Sequence, residues 1–204
     1  MPLILHFTDV DNLPGIFESG ELRCHRVAPT AVDVGNQSIK ANRSRRPVGC
    51  GPGGMVCDYV PFYYAPRSPM LFSIKCGNVS EVNPDQDRLA YLVSSTEAIY
   101  AAELSCVISD GNAGTMITEF SADPADLATL VDWPLMKAKY WANTPDDGDR
   151  VRRRMAEFLV HDAVPLGLIA EIAVRNADVE TQVASLARDE GWDVAVRIRS
   201  GWYF

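Results

Sequence analysis

The run Asp58-Tyr59-Val60-Pro61-Phe62-Tyr63-Tyr64-Ala65-Pro66-Arg67-Ser68-Pro69-Met70-Leu71 constrains this chain more than any other stretch. Tyr59, Val60, Phe62, Tyr63 and Tyr64 are aromatic or β-branched, types that fit a pleated, half-buried surface, so the run begins as a strand. Pro61 has no N–H to give to a ladder, which predicts an edge strand or an irregular one. Arg67-Ser68-Pro69 then opens a new element, with Ser68 as N-cap and Pro69 at the first helical position. The clustered rings read either as a core strand or as the wall of a pocket that stacks a flat ligand.

The rest of the chain alternates short strands and short helices without a regular βαβ rhythm, which predicts an α+β fold. Leu3 to Phe7 reads as a strand ending at the corner His6-Phe7-Thr8. Asp9 or Asp11 caps a helix that buries Leu13, Ile16 and Phe17 and stops at Gly20. Pro29 to Gly54 reads as a long irregular loop, and loops of that length inside a domain are usually functional or disordered. Its closing glycines lack a following Gly-Lys-Ser/Thr and lack the GxGxxG spacing, which excludes both nucleotide fingerprints. Further strands are expected at 88–94, 106–108, 171–174 and 194–198. Helices are expected from Ser95 to Glu103 and over 124–131, 134–141 and 178–188. At 204 residues, one domain over 1–204 with a sizeable core is the expectation.

Formal net charge is −8, which argues against unspecific nucleic-acid binding by the chain as a whole. Two basic islands stand out on this acidic background: Lys40, Arg43, Arg45 and Arg46, then Arg150, Arg152, Arg153 and Arg154. They form either a local anionic site or solvated faces. The five cysteines are scattered with no CxxC pair, so neither a disulfide framework nor a structural zinc is expected, and no metal is assigned. No apolar run is long enough to span a bilayer and no leader precedes the first strand, so a cytoplasmic protein is expected. Glu157 is the one acid inside the apolar run Met155 to Val160. A buried carboxylate must be paired, lie at an element's edge, or be there for chemistry.

Several separated pieces then coincide in order: His6-Phe7-Thr8 with Asn12-Leu13 and Gly15-Ile16, and a basic loop ending Gly-Pro-Gly-Gly. After them come Asp58-Tyr59-Val60-Pro61-Phe62-Tyr63 with Arg67-Ser68-Pro69-Met70-Leu71, Tyr140-Trp141, Ala156-Glu157-Phe158-Leu159-Val160, and a terminal Trp-Tyr-Phe. Together they resemble the DarT family, the DNA ADP-ribosyltransferase toxins of DarT–DarG systems, over essentially the whole chain. The resemblance implies an ADP-ribosyltransferase fold, a split β-core with helices around an NAD⁺ cleft. It implies transfer of ADP-ribose from NAD⁺ to a base of single-stranded DNA, with thymine the expected acceptor.

By position, the resemblance places His6, Phe7 and Thr8 at the nicotinamide and its ribose. Gly15, Arg23 and Arg43 line the NAD⁺ site, and Tyr63 stacks on the nicotinamide. Glu157 is the catalytic glutamate. Arg43 is the catalytic arginine, or Arg45 if the loop registers differently. The segment from about Asp110 to Glu157 presents the DNA, with Tyr140, Trp141, Arg150, Arg152, Arg153 and Arg154 fitting a single-strand groove. The resemblance also implies a macrodomain antitoxin of the DarG type; a monomer is expected. Other readings stay open: transfer to guanine or to a protein side chain, or a binding module of this fold without turnover.

Overall fold

A computed structural model describes residues 2–28, 31–32, 34–35, 37–79 and 85–204; Pro29, where the expected loop begins, lies outside them. Ten strands are formed among these residues. They are β1 (Leu3–Asp9), β2 (Glu21–Arg23), β3 (Tyr59–Tyr63), β4 (Leu89–Ser95), β5 (Cys106–Ser109), β6 (Phe120–Ser121), β7 (Glu157–His161), β8 (Ala163–Pro165), β9 (Glu171–Val174) and β10 (Ala195–Ile198). Eight join one sheet in the order β10-β9-β4-β1-β3-β7-β5-β6, and β2 pairs β8 separately. The pairings are antiparallel except β9 with β10, which run parallel. Mixed sheet and helices agree with the expected α+β class.

The helices are short and locally encoded. In α1 (Leu13–Ser19), Pro14 occupies the first turn and Gly20 closes the end at φ 72°, a backbone conformation that costs glycine nothing. α2 (Gln37–Arg43) follows. α3 (Pro69–Lys75) starts as the sequence predicts, with the Ser68 hydroxyl accepting from the Leu71 N–H. Ser95 caps α4 (Thr96–Ala101) in the same way. α5 (Leu127–Leu130), α6 (Trp133–Lys137) and α7 (Arg150–Arg153) are single turns, and α8 (Ala177–Asp189) crosses between β9 and β10. No helix among the described residues is long and apolar enough to cross a membrane.

Strand periodicity sorts side chains to two faces. Ile4, Val60, Phe62, Leu92, Phe158, Val160 and Ile172 fill one continuous core with Leu13, Phe17 and Val183 of the helices. The opposite face carries two separate cores. One gathers Leu5, Phe7, Tyr91 and Leu71, and the other Val56, Tyr59, Val107 and Leu159.

Pro61 corrects one expectation. It lies in β3, which is not an edge: β1 and β7 flank it. β3 pairs β7 at all five positions, yet meets β1 at Leu5↔Tyr63 alone. The Pro61 carbonyl faces β1, where it accepts from the His6 ring nitrogen Nδ1 at 2.8 Å. In an extended strand the N and C=O of one residue point to the same neighbour. The missing N–H is therefore on the β1 side, and the ladder opens there. The predicted irregularity is real, but it sits in mid-sheet as a split.

Candidate active site

A cavity of about 480 Å³ lies at this split, within the range of small-molecule sites. Phe7, Tyr63 and Met70 line it from the core of Leu5 and Tyr91, and Tyr59 from the core of Leu159, with Asn112 also on its wall. His6 and Thr8 alternate with Phe7 along β1 and line it from the other face, beside Asn12, Gly15 and Arg23.

Glu157 opens β7 and is 1% exposed. Alternation puts it on the face of Leu159, directly opposite Tyr63 in the β3–β7 register. Arg43, the last residue of α2, sends Nη1 to both carboxylate oxygens, at 3.0 Å and 2.8 Å. The Ala113 N–H donates to Oε1 at 3.0 Å. The Ser109 hydroxyl accepts the Glu157 N–H at 3.0 Å and donates to the Gly111 carbonyl at 2.8 Å, fixing the strand start to the loop that carries Ala113. Glu157 is thus both paired and in a cleft. Arg43 Nη2 is buried with no partner among the described residues. A buried donor left unpaired costs roughly 1–3 kcal/mol, which an acceptor entering the cavity would offset. Arg45 is exposed, and Arg43 is the arginine that meets Glu157.

His6 has a defined tautomer. A carbonyl can only accept, so Nδ1 carries the proton toward Pro61 and Nε2 is left as an acceptor. Burial holds the ring's pKa down to about 4, the Arg43 charge acts the same way, and the Pro61 bond works against both. At neutral pH His6 therefore offers the cavity a lone pair. Burial pushes the Tyr63 phenol far above its ordinary value, and the Glu157 charge adds to this. Phe7 lies nearly parallel to the Tyr63 ring at 6.0 Å between centroids. The Thr8 hydroxyl accepts from Asn12 Nδ2 at 2.9 Å. The Asn12 amide also pairs the backbone N–H and C=O of Val32, both at 2.8 Å, and so ties part of the basic loop to β1.

The family profile described as "ssDNA thymidine ADP-ribosyltransferase, DarT" matches residues 5–204. The chain belongs to the DarT family. A DNA ADP-ribosyl transferase of Thermus sp. (strain 2.9) is 37% identical over 204 residues, covering 98% of this chain and 95% of its own length. The solved structure of Thermus sp. 2.9 DarT in complex with ADP-ribosylated ssDNA superposes with a TM-score of 0.93 at 36% identity. It covers 100% of this chain and 96% of that one. The same enzyme in complex with NAD⁺ superposes at 0.90 with 35% identity, covering 100% and 98%. The fold is therefore the DarT ADP-ribosyltransferase fold.

The DarT resemblance assigned His6, Phe7, Thr8, Gly15, Arg23, Arg43, Tyr63 and Glu157 to one site, and all eight line one cavity. Arg23 sits at its rim, exposed, with Nε 2.6 Å from Glu21 Oε1. Of the residues assigned to DNA, Tyr140 is 76% exposed, and Trp141 packs edge-on to Phe72 at 5.9 Å.

The arginines of the second island need correction. Arg154 is 5% exposed, and its guanidinium donates to the carbonyls of Leu135, Met136 and Arg67, so it holds backbone together inside the protein. Arg152 is paired with Asp110 and Asp149, and Arg153 with Asp132 and Asp147. Arg150 donates to the carbonyls of Tyr140 and Ala142. All four arginines of the island thus have partners within the protein, Arg154 buried and Arg150, Arg152 and Arg153 partly exposed.

Asn12, Lys40, Asn112 and Ala113 belong to the site and were not predicted for it. Ala113 contributes only its backbone N–H, which no side-chain motif could have announced. Asn112 lies in the segment from about Asp110 to Glu157 that the resemblance gives to DNA, and no motif singled it out for the cavity.

Proposed function

We propose that the chain transfers ADP-ribose from NAD⁺ to a thymine base of single-stranded DNA and releases nicotinamide, with Glu157 and Arg43 as its catalytic residues. As a DarT family member it is an NAD⁺-dependent DNA ADP-ribosyltransferase. The observation that carries the residue assignment is the Glu157 carboxylate, held by Arg43 and Ala113 within the cavity and directly opposite Tyr63.

Breaking the nicotinamide–ribose bond sends its electron pair to the nicotinamide nitrogen and leaves positive charge on the ribose, as in glycoside cleavage. A fixed carboxylate beside that sugar stabilises the charge and accepts hydrogen bonds from its hydroxyls. One preorganised group of this kind contributes about 3–4 kcal/mol. Arg43 orients the carboxylate, and its unpartnered Nη2 is placed to donate to a phosphate or base carbonyl oxygen. His6 Nε2 accepts from the nicotinamide amide, and the Tyr63 ring gives the leaving group a flat surface. The base nitrogen that attacks the ribose carbon must lose its proton; an arginine normally stays charged, and the family resemblance alone gives that proton to Arg43. Arg23 at the rim takes the far end of NAD⁺.

A base inside a duplex is out of reach, which favours single strands. Tyr140 and Trp141 supply stacking surfaces for them. A toxin of this kind needs a neutralising partner, which we assign to a macrodomain hydrolase of the DarG type. We propose that it acts as a monomer in the cytoplasm, where NAD⁺ and single-stranded DNA are both at hand.

The test is incubation of wild type and Glu157→Gln with NAD⁺ and a mixed-base single-stranded oligonucleotide, mapping the added mass. Wild type should place one ADP-ribose on thymine, and the variant should bind NAD⁺ without transfer. Wild-type transfer by the variant removes Glu157 from catalysis. Mass on guanine, or on protein in a lysate, changes the acceptor class.

A further inference from the structure

We propose that Arg152 is a positioning residue for Glu157, acting by clamping the loop whose Ala113 N–H holds the carboxylate. The inference rests on the catalytic reading of Glu157 and adds a residue to it that neither lines the cavity nor bonds the carboxylate.

The loop from Asp110 to Thr118 is wrapped around the Arg152 side chain. Nη1 and Nη2 donate to the two oxygens of Asp110 at 2.9 Å and 2.8 Å, a planar two-point pair. Nε and Nη2 donate to Asp149 at 2.8 Å and 2.7 Å, and Nη1 reaches the Thr118 hydroxyl at 3.4 Å. The Arg152 carbonyl accepts the Asn112 N–H at 3.2 Å. Gly111 lies against this guanidinium so closely that a Cβ there would be 2.4 Å from Nη1. Two residues after Gly111, Ala113 makes its bond to Glu157 Oε1.

The charges favour this reading over contact with DNA. Arg152 and Arg153 face Asp110, Asp132, Asp147 and Asp149. These two bases are met by four acids within the protein, so little of their charge is held out for phosphates. An arginine whose N–H groups already point at carboxylates has little left to offer a nucleic acid.

The decisive variants are Arg152→Lys and Asp110→Asn. Lysine keeps the charge but cannot make the two-point pair, and asparagine removes a negative charge. Steady-state kinetics with NAD⁺ and a single-stranded oligonucleotide, at several salt concentrations, should show kcat falling about 10- to 100-fold in both, the scale of a small misplacement at a reacting centre. KM for both substrates and the salt slope should stay as in wild type, with NAD⁺ binding retained. The double variant should be about as slow as Arg152→Lys alone, because that substitution already breaks the pair with Asp110. Wild-type kcat in either variant overturns the proposal. So does a higher oligonucleotide KM with a shallower salt slope in Arg152→Lys, which marks a phosphate contact. Loss of NAD⁺ binding along with kcat overturns it too, leaving Arg152 a general support of the fold. Glu157→Gln run alongside separates the two readings: if it alone is inactive, the clamp fails and Glu157 stands; if it transfers normally, the catalytic reading of Glu157 fails.

Discussion

Tyr63 and Glu157 are cross-strand partners, directly opposed where β3 and β7 pair. Side chains so opposed rise from the same face with Cβ atoms about 5 Å apart. The aromatic surface and the carboxylate are thus spaced by backbone hydrogen bonds of a central sheet. The helix end and the loop that hold the carboxylate, through Arg43 and Ala113, adjust its direction and not its distance from the ring.

Tyr63 should work by its ring. Burial keeps its phenol protonated far above its ordinary range, so the hydroxyl is no acid or base near neutrality. Tyr63→Phe should retain kcat/KM within about threefold, while Tyr63→Ala should weaken it by about 1 kcal/mol or more through the lost stacking. Kinetics varying NAD⁺ separate these, and equal loss in both variants would return the role to the hydroxyl.

The Arg43–Glu157 pair should behave as one unit in stability. Removing one partner leaves the other buried without compensation, at a cost of about 3 kcal/mol, moderated here by the open cavity. Arg43→Met and Glu157→Gln should each lower the melting temperature, and the double variant should lose less than their sum. Additive losses in thermal unfolding would show that the two side chains do not sense each other.

His6 should leave a signature at acid pH. Its folded pKa of about 4 lies below its ordinary 6.5. Between those values the unfolded chain holds the proton and the folded chain does not, so stability must fall as pH drops from 6.5 towards 4. The same protonation turns Nε2 from acceptor to donor, so KM for NAD⁺ should rise near pH 4. Melting temperature against pH, compared with His6→Gln, checks this: the variant should lack that component of the slope.

Tyr140 and Trp141 should matter to DNA and not to NAD⁺. A stacked base loses roughly 1–3 kcal/mol when its aromatic partner becomes alanine. Each alanine variant should therefore raise oligonucleotide KM severalfold at constant NAD⁺ KM. Arg154→Met, by contrast, should lower the melting temperature, since its guanidinium holds three backbone carbonyls. A selective oligonucleotide KM effect in Arg154→Met would restore it to the DNA surface.

Strands β1, β3, β4, β5, β9 and β10 and the capped helices α3 and α4 were legible because their signals are local, as Ser68 and Ser95 show, whereas β2, β6 and β8 are too short to carry such a signal. Glu157 was legible because a lone acid in an apolar run demands an explanation. α2 was not: polar Gln37 to Arg43 carries no apolar stripe, and the helix is held where Arg43 reaches Glu157 across 114 positions. The fate of the second basic island was hidden for a similar reason. Asp110 and Asp132 lie tens of positions before Arg152 and Arg153, and only the folded loops bring them together. Pro61 predicted an edge strand or an irregular one, and the second holds; the sequence left both open because a missing N–H does not say whether solvent or a cleft lies beyond it.

That proline has an evolutionary side. Residues that merely shape a pocket can drift while neighbours compensate, but a ring nitrogen lacking hydrogen is a covalent fact no repacking undoes. Replacing it with alanine restores an amide able to zip β1 to β3, so selection for robustness alone would favour the repair. Its cost would be the doorway through which substrate enters, and a thermostable, sluggish variant is the form that bargain would take.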